Sequence, residues 1–280
     1  MPAVVRRLVL AVLLVAALAA ALGLAHGEAK HRKPWLTAEA YVAIDADSGT
    51  VLVARNERER RPIASLTKIM TGLLAIEHGD LGRKIRVPKE ATLVEPNRDG
   101  LKSHRWYSRE LLLYSMLLGS NNDAADTIGY DLGSGSLVQF YAEMDTRARD
   151  LGLEDTSYSS ASGLNDAQNY STALDQAVLS RFALGNPSFA RVVRTKRKAF
   201  PWPRPTFAKE YVNHNRMLFT YPGTYGVKTG YTSMAGGCLA VAVHRGGHSV
   251  IAVLLDSQNI WLDMPKLVRR AFRGLGVVHS

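Results

Sequence analysis

Strand-like apolar segments stand near both ends of the chain and helical segments fill the middle, and this order constrains the fold more than any other feature. Tyr41 to Ile44 and Thr50 to Ala54 flank Asp45-Ala46-Asp47-Ser48-Gly49, which reads as two strands joined by a turn. Further strands are expected at about Tyr225 to Thr229, Gly237 to His244 and Ser249 to Leu255, with Arg245-Gly246-Gly247 turning the last two back antiparallel. The expected class is therefore α+β, with the terminal segments paired in one antiparallel sheet. No internal repeat is visible.

Between the strands, Leu66, Ile69, Met70, Leu73, Leu74 and Ile76 recur at helical spacing from Ala64 onward until Gly79 stops them. A second helix is predicted from about Arg109 to Leu118 with Ser108 as its N-cap, and a third from Asp123 to Asp131. Gly119-Ser120-Asn121-Asn122 favours a turn and should link them. Another amphipathic helix covers Leu137 to Leu151 and ends at Gly152, and Ser171-Thr172 can cap one covering Asp175 to Leu184. The proline-rich basic stretch Arg194 to Pro205 argues for loops or edge strands, and a closing helix is expected over Trp261 to Arg273.

The N-terminus carries Arg6 and Arg7, an uncharged apolar stretch from Leu8 to about Ala25, and a polar basic segment from His26 to Lys33. That order predicts export, with residues 1–25 as a signal peptide or an uncleaved anchor, 26–36 as a linker and 37–280 as the folded domain. Cys238 is the one cysteine, so no intrachain disulfide forms and core packing must hold the fold. The net charge of +10 falls to +8 if Arg6 and Arg7 leave with the signal. Basic runs at Lys30 to Lys33, Arg194 to Lys198 and Lys266 to Arg273 could bind nucleic acid, but export favours an anionic membrane surface or wall polymer, and a solvated basic surface is the plainer reading.

Ser65-Leu66-Thr67-Lys68 places a serine at the mouth of a helix and a lysine three residues on, both on one face. A serine hydroxyl needs a neighbouring base before it can attack a carbonyl, and lysine serves only when neutral. Burial or a second cation can lower its pKa enough, and Lys228-Thr229-Gly230 supplies that second lysine at the end of a predicted strand. Ser120-x-Asn122 adds a hydroxyl able to relay a proton and an amide able to hold a substrate carbonyl. Each motif alone carries little information, and Ser257-Gln258-Asn259 also matches SxN. The order SxxK, SxN, KTG, on helix, loop and strand, is the constellation of penicillin-binding proteins and class A β-lactamases.

Pro62-Ile63-Ala64-Ser65-Leu66-Thr67-Lys68-Ile69-Met70-Thr71, Ser120-Asn121-Asn122-Asp123-Ala124-Ala125, Ser162-Gly163-Leu164 and Gly226-Val227-Lys228-Thr229-Gly230-Tyr231-Thr232 together resemble the D-alanyl-D-alanine carboxypeptidases, the low-molecular-weight penicillin-binding proteins. The resemblance covers about residues 37–256 and implies a β-lactamase/DD-peptidase-like fold with a helical subdomain inserted. It further implies removal of the terminal D-alanine from peptidoglycan stem peptides, with β-lactams as inhibitors and no cofactor. In that frame Ser65 forms the acyl-enzyme, Lys68 is its base, Ser120 relays the proton, and Asn122 positions substrate. Lys228 and Thr229 bind the substrate carboxylate, Gly230 admits the substrate backbone, and the backbone N–H groups of Ser65 and Tyr231 form the oxyanion hole.

Two departures stand out: Asn121 replaces the usual glycine of the SGN block, and Ser160-Ala161 stands where Asn-Pro is common. Rival chemistries lack their parts, since there is no GxSxG elbow and no HExxH, and His244 with His248 has no acidic third ligand for a metal. A β-lactamase would need a deacylating glutamate, and no ExxLN-like segment appears between residues 150 and 180. A DD-endopeptidase and a non-catalytic β-lactam or wall-binding module stay open as alternatives.

Overall fold

A computed structural model describes residues 35–164, 167–202 and 207–277. The expected signal peptide and most of the expected linker lie outside the described residues. The strands are β1 (Ala40–Asp45), β2 (Val51–Arg55), β3 (Arg61–Pro62), β4 (Lys84–Arg86), β5 (Trp106–Ser108), β6 (Tyr170–Ser171), β7 (Arg197–Trp202), β8 (Phe207–Val212), β9 (Thr224–Thr232), β10 (Gly236–Arg245) and β11 (His248–Ser257). The helices are α1 (Lys68–Glu77), α2 (Arg109–Leu118), α3 (Asn122–Leu132), α4 (Leu137–Asp150), α5 (Ala173–Gly185), α6 (Pro187–Arg194), α7 (Met217–Thr220) and α8 (Ile260–Gly274). Ala64–Thr67 forms a 3-10 turn that runs into α1.

The two ends of the chain meet as expected. The main sheet has the order β2-β1-β11-β10-β9, and β1 pairs antiparallel with β11 from Ala40 opposite Leu255 to Asp45 opposite Val250. Both faces of the sheet are covered. Val42, Ile44, Ala240, Ala242, Ile251 and Val253 face the helical layer, while Tyr41, Ala43, Leu239, Val241, Val250 and Leu254 face α8. In the central strands β1, β10 and β11 the alternation of period two therefore separates two cores rather than a core from solvent, which is why their middle residues are almost all apolar.

α8 packs on the sheet through Leu267, Val268, Ala271 and Phe272, all buried, and turns Arg270 and Arg273 outward. Its start explains the second SxN match. Asn259 accepts a capping hydrogen bond from Leu262 N at 3.2 Å, and Ser257 donates its hydroxyl to Asp263 at 2.8 Å, so Ser257-Gln258-Asn259 is a helix cap.

On the other face, α1 is buried from Lys68 to Ile76, so it is a core helix with no solvent side, and it carries one charged residue into that core. The caps read from the sequence are present: Ser108 accepts from Leu111 N at 3.2 Å and Thr172 from Asp175 N at 3.0 Å. Of the proline-rich basic stretch, the described residues 194–202 hold the end of α6 and strand β7, which pairs antiparallel with β8 in a two-stranded sheet separate from the main one.

Candidate active site

Ser65 sits in the 3-10 turn before α1, and the turn rests against β9 and β10. The approach is close: a Cβ on Gly230 would stand 3.0 Å from Ser65 N, so only glycine lets β9 run this near the turn. Ala64, next to the serine, has a φ of 48°, a left-handed conformation that costs a non-glycine residue about 1 kcal/mol or more. On the opposite side Gly163 has a φ of 78°, and a Cβ there would fall 1.8 Å from Ala64 O, so the Ser162-Gly163-Leu164 turn packs directly on the carbonyl of the residue before the serine.

Lys68 is completely buried, and Nζ lies 2.9 Å from Ser65 Oγ, 2.8 Å from Asn122 Oδ1 and 2.5 Å from the Ser162 carbonyl. No carboxylate touches it. Burial, reinforced by the charge of Lys228, holds the Lys68 amine well below its ordinary pKa, while Asp126 and Asp123 oppose the shift. A neutral amine has a lone pair free to accept the proton of Ser65, which is the state a base requires.

Ser120 and Asn122 leave the turn between α2 and α3 in the expected place. Ser120 has a φ of 61°, and its hydroxyl accepts from Lys228 Nζ at 2.9 Å. Asn122 Nδ2 donates to the Glu95 carbonyl at 3.1 Å, which fixes the amide so that its oxygen faces Lys68. Behind it, the Asp123 carboxylate accepts the backbone N–H groups of Asp99, Gly100 and Leu101 at 2.8, 2.9 and 3.0 Å. Each such charge-assisted bond is worth about 1.5 to 3 kcal/mol and anchors the start of α3.

Lys228 lies on β9, fully buried, with Nζ also donating to the Thr229 carbonyl at 2.8 Å. Burial brings its pKa down to about 7. Ser65, Ser120, Asn122, Thr229, Gly230 and Tyr231 all line a single open groove of about 700 Å³, with Lys68 and Lys228 buried behind its wall. The residues of the SxxK, SxN and KTG motifs are thus brought to one place, although they are separated by up to 163 positions between Ser65 and Lys228.

The comparisons with known proteins agree with this geometry. The family model described as D-alanyl-D-alanine carboxypeptidase, peptidase family S11, matches residues 27–259. The chain belongs to that family. It is 34% identical over 220 residues to the D-alanyl-D-alanine carboxypeptidase DacB2 of Mycobacterium tuberculosis, covering 78% of this chain and 74% of the relative. It is 33% identical to the D-alanyl-D-alanine carboxypeptidase DacF of Bacillus subtilis, covering 79% of this chain and 58% of that longer protein. The crystal structure of a Mycobacterium tuberculosis D-alanyl-D-alanine carboxypeptidase superposes with a TM-score of 0.81 at 32% identity, over 86% of this chain and 92% of that one. The Streptomyces K15 DD-transpeptidase superposes with a TM-score of 0.80 at 30% identity, over 86% and 99%. This DD-peptidase family member is a serine D-Ala-D-Ala carboxypeptidase with the penicillin-binding DD-peptidase fold, antiparallel sheet and inserted helices included.

Three residues of the site escaped the sequence reading. Asp126 is nearly buried one helical turn after Asn122, and burial raises its carboxyl to about 6 even with Lys68 nearby. Its spacing of four from Asn122 was the available signal. His214 and Arg216 line the groove from the segment after β8. Burial and the charge of Lys228 lower the His214 pKa. Arg216 stacks on the Trp261 ring with its guanidinium carbon 5.3 Å from the centroid. Nothing in their local pattern marks them, because α7 and α8 bring them to the groove only in three dimensions.

Proposed function

We propose that Ser65 attacks the carbonyl of the penultimate D-alanine while Lys68, as a neutral amine, takes its proton. The bond from Ser65 Oγ to the carbonyl carbon forms as the peptide π bond opens, and the resulting oxyanion points at the backbone N–H groups of Ser65 and Tyr231. Collapse expels the terminal D-alanine, whose nitrogen receives through Ser120 the proton that Lys68 took from Ser65, so the amine is neutral again and an ester remains on Ser65. Water then attacks the ester with Lys68 again as base, releasing the shortened stem peptide and restoring the serine. Asn122 holds the substrate amide, Gly230 admits its backbone, and Lys228 with Thr229 binds the terminal carboxylate.

The observation that carries this reading is the contact of 2.9 Å between Ser65 Oγ and an amine that is buried, has no acid in hydrogen-bond contact and is held well below its ordinary pKa by burial and the charge of Lys228. A lysine placed for stability alone would have a carboxylate partner. β-Lactams imitate the D-Ala-D-Ala amide and carboxylate, so they are expected to trap the same serine.

The wider setting follows the same reading. Residues 1–25 direct export, as signal or anchor, 26–36 form a linker, and 37–280 the catalytic domain, which acts in the cell envelope. Among the described residues no helix is long and apolar enough to cross a membrane. The outward basic residues on α6, β7 and α8 suit an anionic membrane surface or wall polymer, and nucleic acid is not an expected partner. A pentapeptide ending in D-Ala-D-Ala, incubated with the enzyme, should lose the mass of one alanine, with label from fluorescent penicillin retained on the protein. Retained pentapeptide with cleavage only of cross-linked muropeptides would assign it as an endopeptidase, the activity for which a relative from Escherichia coli is named, at 25% identity over 80% of this chain. Rapid loss of the label would mean a β-lactamase.

A further inference from the structure

The turn that carries Ser120 is held from behind by buried polar groups that the chemistry above does not use. Asn121 is 7% exposed and donates from Nδ2 to Ser115 Oγ at 3.1 Å and to the Ser115 carbonyl at 3.3 Å. Its own backbone N–H reaches the same carbonyl at 3.3 Å. Ser115, on α2 and fully buried, donates its hydroxyl to Asp99 Oδ2 at 2.7 Å. Tyr211, on β8, donates to that same oxygen at 2.6 Å, and Lys209 of the same strand forms an ion pair with the carboxylate. A chain of hydrogen bonds thus runs from the hairpin through Tyr211, Asp99 and Ser115 to Asn121, the residue next to Ser120.

The turn needs such a hold. Ser120 keeps a φ of 61°, a conformation that costs a residue with a Cβ about 1 kcal/mol or more, and relaxing it would swing the hydroxyl off Lys228. A glycine at position 121, the usual residue of the family block, would contribute no side chain to resist that relaxation. Asn97 adds a second strut, donating from Nδ2 to the Gly119 carbonyl at 2.6 Å while its own carbonyl accepts from Asn122 N at 2.8 Å. The backbone of Asp99 is itself fixed by donating to Asp123 at 2.8 Å. Tyr211 remains a donor at every working pH, because burial and the Asp99 charge push its pKa upward. The same hairpin supplies Arg197, Val212 and, just beyond β8, Asn213 to the wall of the groove.

We propose that Asp99, through Ser115 and Asn121, is a positioning residue for Ser120, and that it makes the geometry of the proton relay depend on the β7–β8 hairpin. The proposal rests on the relay role assigned to Ser120. Substrate seated against the hairpin and the hydroxyl that serves the leaving nitrogen then share one support, and a misplacement of that hydroxyl by about 1 Å is enough to slow the step by roughly 10²-fold.

The test is a set of variants, Asn121→Gly, Tyr211→Phe, their combination and Ser120→Ala, with kcat and KM measured for D-alanine release. Rates are taken per site titrated by fluorescent penicillin, which removes any misfolded fraction from the comparison. Asn121→Gly should lower kcat by about tenfold or more with KM within about twofold, and Tyr211→Phe, which deletes one oxygen, should lower kcat by roughly threefold or more. The double variant should be no slower than Asn121→Gly within about twofold, because both changes cut one chain. Unchanged kcat per site in Asn121→Gly, or losses that multiply in the double variant, would overturn the positioning role. If those variants behave so while Ser120→Ala is slow, the relay stands and the positioning role alone falls; full speed in Ser120→Ala removes both.

Discussion

The Ser65→Ala enzyme is expected to lose at least about 10⁴-fold in kcat/KM for D-alanine release, because the oxygen that forms the acyl bond is gone and the remaining groups act only on an acyl ester they cannot make. The fold should survive. Ser65 is only half-buried, and Lys68 keeps its contacts with Asn122 Oδ1 and the Ser162 carbonyl when the hydroxyl is removed. Thermal unfolding of the variant should therefore stay close to that of the parent while pentapeptide turnover, followed by D-alanine release, disappears. A residual rate within about tenfold of the parent would place the nucleophile elsewhere.

Lys68→Arg is expected to cost about 10³-fold or more at every pH from about 5 to 9, even though it keeps a long basic side chain at the position. A guanidinium has no acceptor and keeps its proton in proteins, so it cannot take the proton of Ser65. The parent enzyme, in contrast, should respond to pH. Its rate rises with pH through the lowered pKa of Lys68, because the neutral form is the active one and burial brings that form into reach. Lys228 must remain cationic to hold a carboxylate, and its pKa of about 7 makes binding weaken as the pH climbs past that value. The two lysines share the work only if Lys68 gives up its proton first, and the charge of Lys228 pushes Lys68 in that direction. Initial rates across pH should thus give kcat/KM a bell with its falling limb near pH 7, and Lys68→Arg should erase the rising limb. A full rising limb in Lys68→Arg would exclude lysine as the base.

Much of this was readable from the chain, for physical reasons that differ by element. The sheet was legible because its strands are bounded by turn chemistry, Asp45 to Gly49 at one end and Arg245-Gly246-Gly247 at the other. The catalytic set was legible because each motif is local: Ser65 and Lys68 share a face at a spacing of three wherever α1 forms. What local pattern could not supply was the hairpin and what it supports. The prolines around Pro201 leave loops and edge strands both open, and β7 is such an edge strand, with Pro201 opposite Ala208 in a two-stranded ladder. α6 is absent from the elements expected from sequence, although Asn186 and Pro187 mark its start, with Asn186 Oδ1 accepting from Ser188 N at 2.9 Å. Asp99, Asp123 and Asp126 look like ordinary surface acids in sequence, and only their burial beside Ser115, the 99–101 backbone and Lys68 gives them work. In sequence Asn121 is only a departure from the family block, and its reach to Ser115 shows what the larger side chain adds.

Peptide mapping after reaction with penicillin tests the central claim most directly. The account predicts one penicilloyl group per chain, as an ester on Ser65 in the peptide that also contains Lys68, and no adduct in Ser65→Ala. Label on Ser120 or on another serine, or a stable adduct that persists in Ser65→Ala, would contradict it.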